Sequence, residues 1–182
     1  MQFNLIDRVA IITGSSKGIG KAIAIELADA GAIVIISSRK QENCNKVANE
    51  IKNRGGKAEA IPCNVGRKNE ITKLVKETVN KYNGIDILVS NAGTNPAYGP
   101  LSKLNDNAFD KVLDVNLKSS IWLANEASPY LKKNKTSSII IMSSISALVG
   151  TKDIGAYGIS KAAEVSLVKN LAVELGPYGI RV

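Results

Sequence analysis

The chain has no histidine. That absence excludes a Ser-His-Asp triad, an HExxH zinc site and any imidazole proton shuttle. It also disposes of Gly158-Ile159-Ser160-Lys161-Ala162, whose spacing imitates a nucleophile elbow but whose serine has no base. Two cysteines, Cys44 and Cys63, are too few for a disulfide framework or a four-ligand zinc site. Both are expected to be reduced and structural, and no metal is expected. Aromatic residues make up only 4% of the chain, so base-stacking platforms are scarce. No apolar run approaches the roughly 18 residues of a membrane span. Met1 to Arg8 lacks the basic start and apolar stretch of a signal peptide. The expectation is a cytoplasmic protein with no membrane partner.

Positive charge, by contrast, is plentiful. Lysine and arginine number 24 against 16 acids, a net charge of +8. A nucleic-acid partner would gather that charge into a stripe. Here Lys46, Lys52, Lys57, Lys68, Lys73, Lys76 and Lys81 are dispersed as on solvated helix faces. No nucleic-acid partner is expected.

The 182 residues alternate short β-branched runs with longer stretches of helical spacing. The runs are Val9–Thr13, Ala32–Ser37, Lys57–Pro62, Ile85–Ser90 and Ser138–Ser143. The helical stretches are 18–31, 40–54, 67–82, 106–134 and 154–177, the last stopped at Gly176-Pro177. Near-continuous apolar runs such as Ile33-Val34-Ile35-Ile36 indicate strands covered on both faces. The pattern predicts an α/β fold: one doubly wound parallel sheet with helices on both faces. Ligands in such sheets bind beyond the carboxyl ends of the strands. Gly179-Ile180-Arg181-Val182 reads as the start of a further strand, so the last strands are expected to be missing and the chain to be a fragment.

Thr13-Gly14-Ser15-Ser16-Lys17-Gly18-Ile19-Gly20 leaves a strand and opens a helix. Gly14 permits a sharp turn, Gly18 lets backbone amides approach a pyrophosphate, and Gly20 permits close helix–strand contact. Ser16, Lys17 and Ile19 complete this expected dinucleotide cradle. NAD sites place a carboxylate at the end of the second strand. Here that end is Ser37-Ser38-Arg39-Lys40. Arg39, with Lys17 beside it, suits the 2'-phosphate of NADP(H); NAD(H) is the second choice.

Tyr157 and Lys161 stand four residues apart, on one helix face. A free tyrosine ionises near pH 10, too high for a neutral base, and a neighbouring ammonium favours the phenolate. Ser144 lies thirteen residues before Tyr157, at the end of a strand, and Asn91-Ala92-Gly93 forms a small flat turn after another.

Taken together and in order, Thr13-Gly14-x-x-x-Gly18-Ile19-Gly20, Asn91-Ala92-Gly93, Ser144 and Tyr157-x-x-x-Lys161 resemble the short-chain dehydrogenase/reductase family. The resemblance covers essentially the whole chain. It implies a Rossmann-type NAD(P)-binding domain over residues 1–182, part of a domain of roughly 250 residues. Asn116, in Asp114-Val115-Asn116-Leu117, matches the family's catalytic asparagine. The implied catalytic tetrad is Asn116, Ser144, Tyr157 and Lys161. In it Ser144 binds the substrate oxygen, Tyr157 transfers its proton, Lys161 holds the nicotinamide ribose and favours the phenolate, and Asn116 anchors a relay water. Asn64-Val65 matches the pair that contacts the adenine, with Asn where most relatives have Asp. Self-association to a dimer or homotetramer is implied through the stretches 106–134 and 154–177, which the sequence shows as long and amphipathic.

The implied activity is hydride transfer between NADP(H) and a small-molecule carbonyl or secondary alcohol. Within the family the resemblance points to carbonyl or retinal-type reductases, with 3-oxoacyl-carrier-protein reductase as the rival. That rival's basic residue before the sixth strand is Tyr178 here, though Lys135 is available. Tyr98 and Leu101, in the loop after Gly93, are expected to line the pocket and suggest an apolar substrate. A dinucleotide-binding protein without catalysis is the reading that the tetrad disfavours.

Overall fold

In the computed structural model, which describes residues 4–134 and 136–182, the apolar runs are strands of one sheet. They are β1 (Val9–Thr13), β2 (Ile33–Ser37), β3 (Lys57–Ala60), β4 (Ile87–Ser90), β5 (Ser137–Ile141) and β6 (Ile180–Arg181). All pair in parallel, in the order β3-β2-β1-β4-β5-β6. The helices are α1 (Gly18–Asp29), α2 (Gln41–Asn53), α3 (Lys68–Tyr82), α4 (Asp106–Val112), α5 (Ser119–Leu131) and α6 (Gly155–Leu175). This is the doubly wound Rossmann-type α/β fold that the alternation predicts.

Strand residues alternate between two layers because successive side chains point to opposite faces. Val9 and Ile11 join one core, while Ala10 and Ile12 join the other, and all four are buried. On the second face α1 and α2 cover β1 to β3, with Cys44, Val47, Ala48 and Ile51 recurring at helical spacing. On the first face α3, α5 and α6 contribute Ile71, Leu74, Leu123, Leu131, Leu171 and Leu175. After β3 the chain returns past β1 to form β4 on its other edge. That reversal opens a crevice at the carboxyl ends of β1 and β4, where ligands of such sheets bind.

Three local features depart from the sequence pattern. The stretch expected as one helix, 106–134, is α4 and α5 joined through a π-helical segment, Leu113–Lys118. β3 ends before Pro62, which has no N–H to donate; Ile61 and Cys63 on either side still donate to Ile36 and Ser38. The helix α6 is not simply amphipathic: it buries Ser160, Lys161 and Glu164 and exposes Ile159 and Val173.

An open groove of about 780 Å3, lined by Leu5, Leu27, Ile87 and Ile140 among others, lies at the opposite end of the strands from that crevice. Among the described residues no helix is long and apolar enough to cross a membrane. No group of three His, Cys, Asp or Glu side chains among them converges on a metal position.

Ile11 is wholly buried in the central strand. Ile11→Ala is expected to lower the unfolding free energy by about 2–5 kcal/mol in urea titrations. Leu148→Ala, at an exposed position, is expected to stay within about 0.5 kcal/mol of the parent.

Candidate active site

The carboxyl end of β1 is tied to that of β4 through Thr13 and Asn91. Thr13 Oγ1 accepts hydrogen bonds from the amides of Asn91 and Ala92, at 3.1 and 3.2 Å. In return Asn91 Nδ2 donates to the Thr13 carbonyl at 2.9 Å. The Asn91 side chain therefore holds the start of the glycine loop in place. Gly14 turns there at φ +66 and Gly18 opens the helix at φ +57, the left-handed region that favours glycine. Gly20 is needed for another reason: a Cβ would lie 2.5 Å from Asn91 Nδ2 and 2.6 Å from the Gly14 carbonyl oxygen.

The residues fit an anionic dinucleotide. A Cβ at Gly18 would meet nothing within 4 Å, so the loop is open on that side. Lys17 caps α1 without a side-chain hydrogen bond, and no acid occupies the first turn. The amide ends and partial positive charge of the helix thus face outward unopposed. At the end of β2, Arg39 is exposed, as is Lys17 on the glycine loop. Among the described residues neither is ion-paired. Ser37 Oγ, buried beside them in sequence, has no hydrogen-bond partner among those residues either. Ser15 is structural, donating to the Ile12 carbonyl and accepting from the Ser37 amide at 2.9 Å. After β3, Val65 is buried and Asn64 Oδ1 accepts from the Gly66 amide.

A second recess, of about 360 Å3, joins these loops to α6. Ile19, Asn91, Gly93 and Thr94 line one side, with Met142, Ser143, Tyr157 and Lys161 on the other. Gly93 stands close to both side chains: a Cβ there would lie at ordinary contact distance, 3.6 Å from Asn116 Oδ1 and 3.8 Å from Lys161 Nζ. The Lys161 side chain is only 4% exposed, and its Nζ donates to the Met142 carbonyl at 2.6 Å. Ser143 Oγ donates to the Lys161 carbonyl, pinning the turn after β5 to α6. Ser144 stands one residue further along and does not line this recess; its Oγ accepts from the Ser146 amide.

Asn116 is wholly buried in the π-helical segment, the rare geometry that often marks functional sites. Its side chain is fully engaged. It accepts from the Thr94 amide at 2.8 Å and donates to the Thr94 carbonyl and to Ser160 Oγ. It thereby clamps the loop after β4 against α6. That loop is also held by Gly99, whose amide donates to the Asp153 carbonyl. Tyr98 is 82% exposed, whereas the Leu101 side chain lies where a Cβ on Gly155 would clash.

Glu164, which sequence reasoning passed over, sits behind Lys161. Its side chain is 1% exposed and Oε2 lies 2.8 Å from Lys161 Nζ. The contact is an ion pair without good hydrogen-bond alignment, since Oε2 has no well-directed donor. Burial pushes the Glu164 carboxyl up, against the opposing pull of Lys161 and Ser120. The signal was available: a carboxylate one turn past Lys161 amid Ala162, Ala163, Val165 and Leu167. Elsewhere, Lys132 Nζ lies 4.0 Å above the Tyr178 ring, and Lys135 falls outside the described residues.

A family profile described as short chain dehydrogenase matches residues 8–182. The chain is 40% identical over 178 residues to dehydrogenase/reductase SDR family member 4 of Sus scrofa, covering 98% of this chain and 64% of that protein. It is 40% identical to tropinone reductase-like 3 of Erythroxylum coca, over 94% of this chain and 66% of that one. The chain thus spans a little under two thirds of the length of both. In three dimensions it resembles a 7α-hydroxysteroid dehydrogenase complexed with NADH and 7-oxo glycochenodeoxycholic acid. The TM-score is 0.95 at 35% identity, over all of this chain and 70% of that one.

Because the atoms facing Gly20 include backbone, Gly20→Ala cannot be relieved by a rotamer change. It is expected to cost about 1–3 kcal/mol of stability, read as a lower melting temperature.

Proposed function

The chain belongs to the short-chain dehydrogenase/reductase family, and on that premise we propose that it is an NADP(H)-dependent carbonyl reductase or alcohol dehydrogenase whose acid-base group is Tyr157. The observation that supports this best is the shared recess. It brings Tyr157 and Lys161 together with Ile19, Asn91 and Gly93 of the loops that would hold the cofactor.

When bound, the dinucleotide supplies or accepts the hydride. The rest of the chemistry falls to this chain. Lys17, the amides of α1 and Arg39 hold the phosphates, with Asn64 and Val65 toward the adenine. Arg39 and Lys17, exposed and not paired to acids, favour a 2'-phosphate by charge. Tyr157 Oη gives a proton to the substrate oxygen in reduction and takes it in oxidation. Lys161, nearly buried, holds its ammonium 5.7 Å from the Tyr157 ring centroid, within reach of the nicotinamide ribose side of the site. Ser144, at the mouth beyond β5, orients the substrate oxygen. Asn116 serves by holding Thr94 and Ser160, and so the recess walls, in register.

The substrate we infer has an extended apolar body. Exposed Tyr98, Leu101, Ile145, Leu148 and Val149 follow β4 and β5 on the same side of the sheet as the recess. The structurally similar dehydrogenase holds a ligand of that kind, 7-oxo glycochenodeoxycholic acid. The second reading, reduction of 3-oxoacyl groups on an acidic carrier, is favoured by Lys132 over Tyr178, a cation at the place where the sequence has none. Parallel assays with bulky apolar ketones and 3-oxoacyl thioesters separate the two.

Tyr157→Phe is expected to lower turnover by about 10²–10⁴-fold with NADPH binding retained, as measured by cofactor fluorescence. Parent-like turnover would refute the role given to Tyr157. Arg39→Ala is expected to raise the KM for NADPH about tenfold or more while leaving that for NADH nearly unchanged.

A further inference from the structure

Lys161 has two sides. Toward the recess it stands with Tyr157 and Gly93; toward the interior its polar partners among the described residues are the Met142 carbonyl and Glu164. A buried ammonium without a counter-ion costs several kcal/mol. One carbonyl does not compensate that, and the carboxylate at 2.8 Å does. A buried ion pair is weak evidence for stability, because well-packed apolar residues serve as well or better. The effect of Glu164 is therefore to be sought in the charge that it places behind the proton-transfer group.

The surroundings leave that charge unshared. From α5, Ser120 Oγ reaches Glu164 Oε1 at 3.5 Å while it also donates to the Asn116 carbonyl at 3.0 Å. From β4, Ser90 Oγ reaches Ser120 Oγ at 2.9 Å. From the turn after β5 comes the Met142 carbonyl, through Lys161. Asp114 and Lys118 of the π-helical segment pair with each other at the surface. Among the described residues, Lys161 is thus the only charged side chain in contact with Glu164, and Tyr157 the only other titratable group that shares the recess with Lys161.

We propose that Glu164 is a positioning residue: a buried counter-ion that holds Lys161 protonated, draws its Nζ against the Met142 carbonyl, and offsets part of the ammonium's field at Tyr157. This rests on the reading of Tyr157 as the acid-base group. The pair would then set the pH range in which the tyrosine works, with Lys161 supplying the attraction for the phenolate and Glu164 limiting it. Removing the anion makes a proton easier to lose from every neighbouring group, so both Tyr157 and Lys161 would titrate lower.

The test compares the parent with Glu164→Gln, which keeps shape and the Ser120 contact, and with Glu164→Asp, which keeps the charge but withdraws it by one methylene. Two readouts are taken. One is the pH profile of kcat/KM for alcohol oxidation. The other is the phenolate absorbance of Tyr157, isolated by subtracting Tyr157→Phe on each background, which needs no turnover. For Glu164→Gln, both limbs of the profile and the Tyr157 absorbance midpoint are expected to move down by about one pH unit. Glu164→Asp is expected to fall between that variant and the parent. A folded Glu164→Gln whose Tyr157 midpoint does not move, or moves up, would overturn the proposal. If Glu164→Gln does not fold, Glu164→Asp decides: a downward shift supports the proposal and an unmoved midpoint sinks it. Parent-like turnover in Tyr157→Phe would instead refute the acid-base reading, and the absorbance titration would still report on Glu164.

Discussion

Burial of β1 on both faces is the constraint from which the other elements take their places. Its five residues are buried, and it pairs along one edge with β2 and along the other with β4. A strand so enclosed has no polar face, so its polar work is done at its end. Thr13 performs it, with one hydroxyl receiving two amides from the end of β4. The turn of Gly14, the start of α1 and the position of Asn91 all follow from that junction. A displacement there would move the glycine loop and the recess together, because the loop's support and the recess wall share Asn91.

The electrostatics of the site are graded from outside to inside. At the mouth, Lys17, Arg39 and the free amides of α1 present positive charge to solvent. Screening by salt is strong there, and ion pairs between exposed side chains contribute little. Deeper, Lys161 is almost fully buried, where each charge acts over a longer range. Behind it stands Glu164, with Ser120 and Ser90 leading back to the sheet. An anion therefore meets attraction at the rim, and a proton at the centre meets opposed charges set close together.

The sequence made parts of this legible and concealed others for identifiable reasons. The parallel sheet could be read because strands buried on both faces are near-continuous apolar runs, as in Ile33–Ser37. The helices α2 and α3 could be read because their buried residues recur at i, i+3, i+4 and i+7. The π-helical turn around Asn116 left no trace in that periodicity. It adds a residue to one turn without altering residue type, and Asn116 is held by backbone and hydroxyl partners distant in sequence. Tyr157 and Lys161 share a helix face by their spacing, and both line the recess. Ser143 and Ser144 are adjacent hydroxyls that a strand pattern does not tell apart: Ser143 Oγ donates to the Lys161 carbonyl, while Ser144 Oγ accepts from the Ser146 amide. Glu164 is hard to read because a charged residue on a helix is ordinarily solvated, whereas this one is buried between Lys161 and Ser120 of α5.

The reversal of the sheet at β1 and β4 also divides the labour of the molecule. Arg39 belongs to the half built from β1 to β3, whereas Tyr157, Lys161 and Glu164 belong to the half built from β4 to β6. No side chain that would choose between the two dinucleotides is also a member of the proton-handling group. On the proposed assignment of Arg39 to the cofactor and of Tyr157 to the proton, cofactor preference and acid-base tuning are separable traits. On that reading either half could be redrawn by mutation while the other kept its working parts, provided that the β1–β4 ladder and the Thr13–Asn91 junction joining them were left in place.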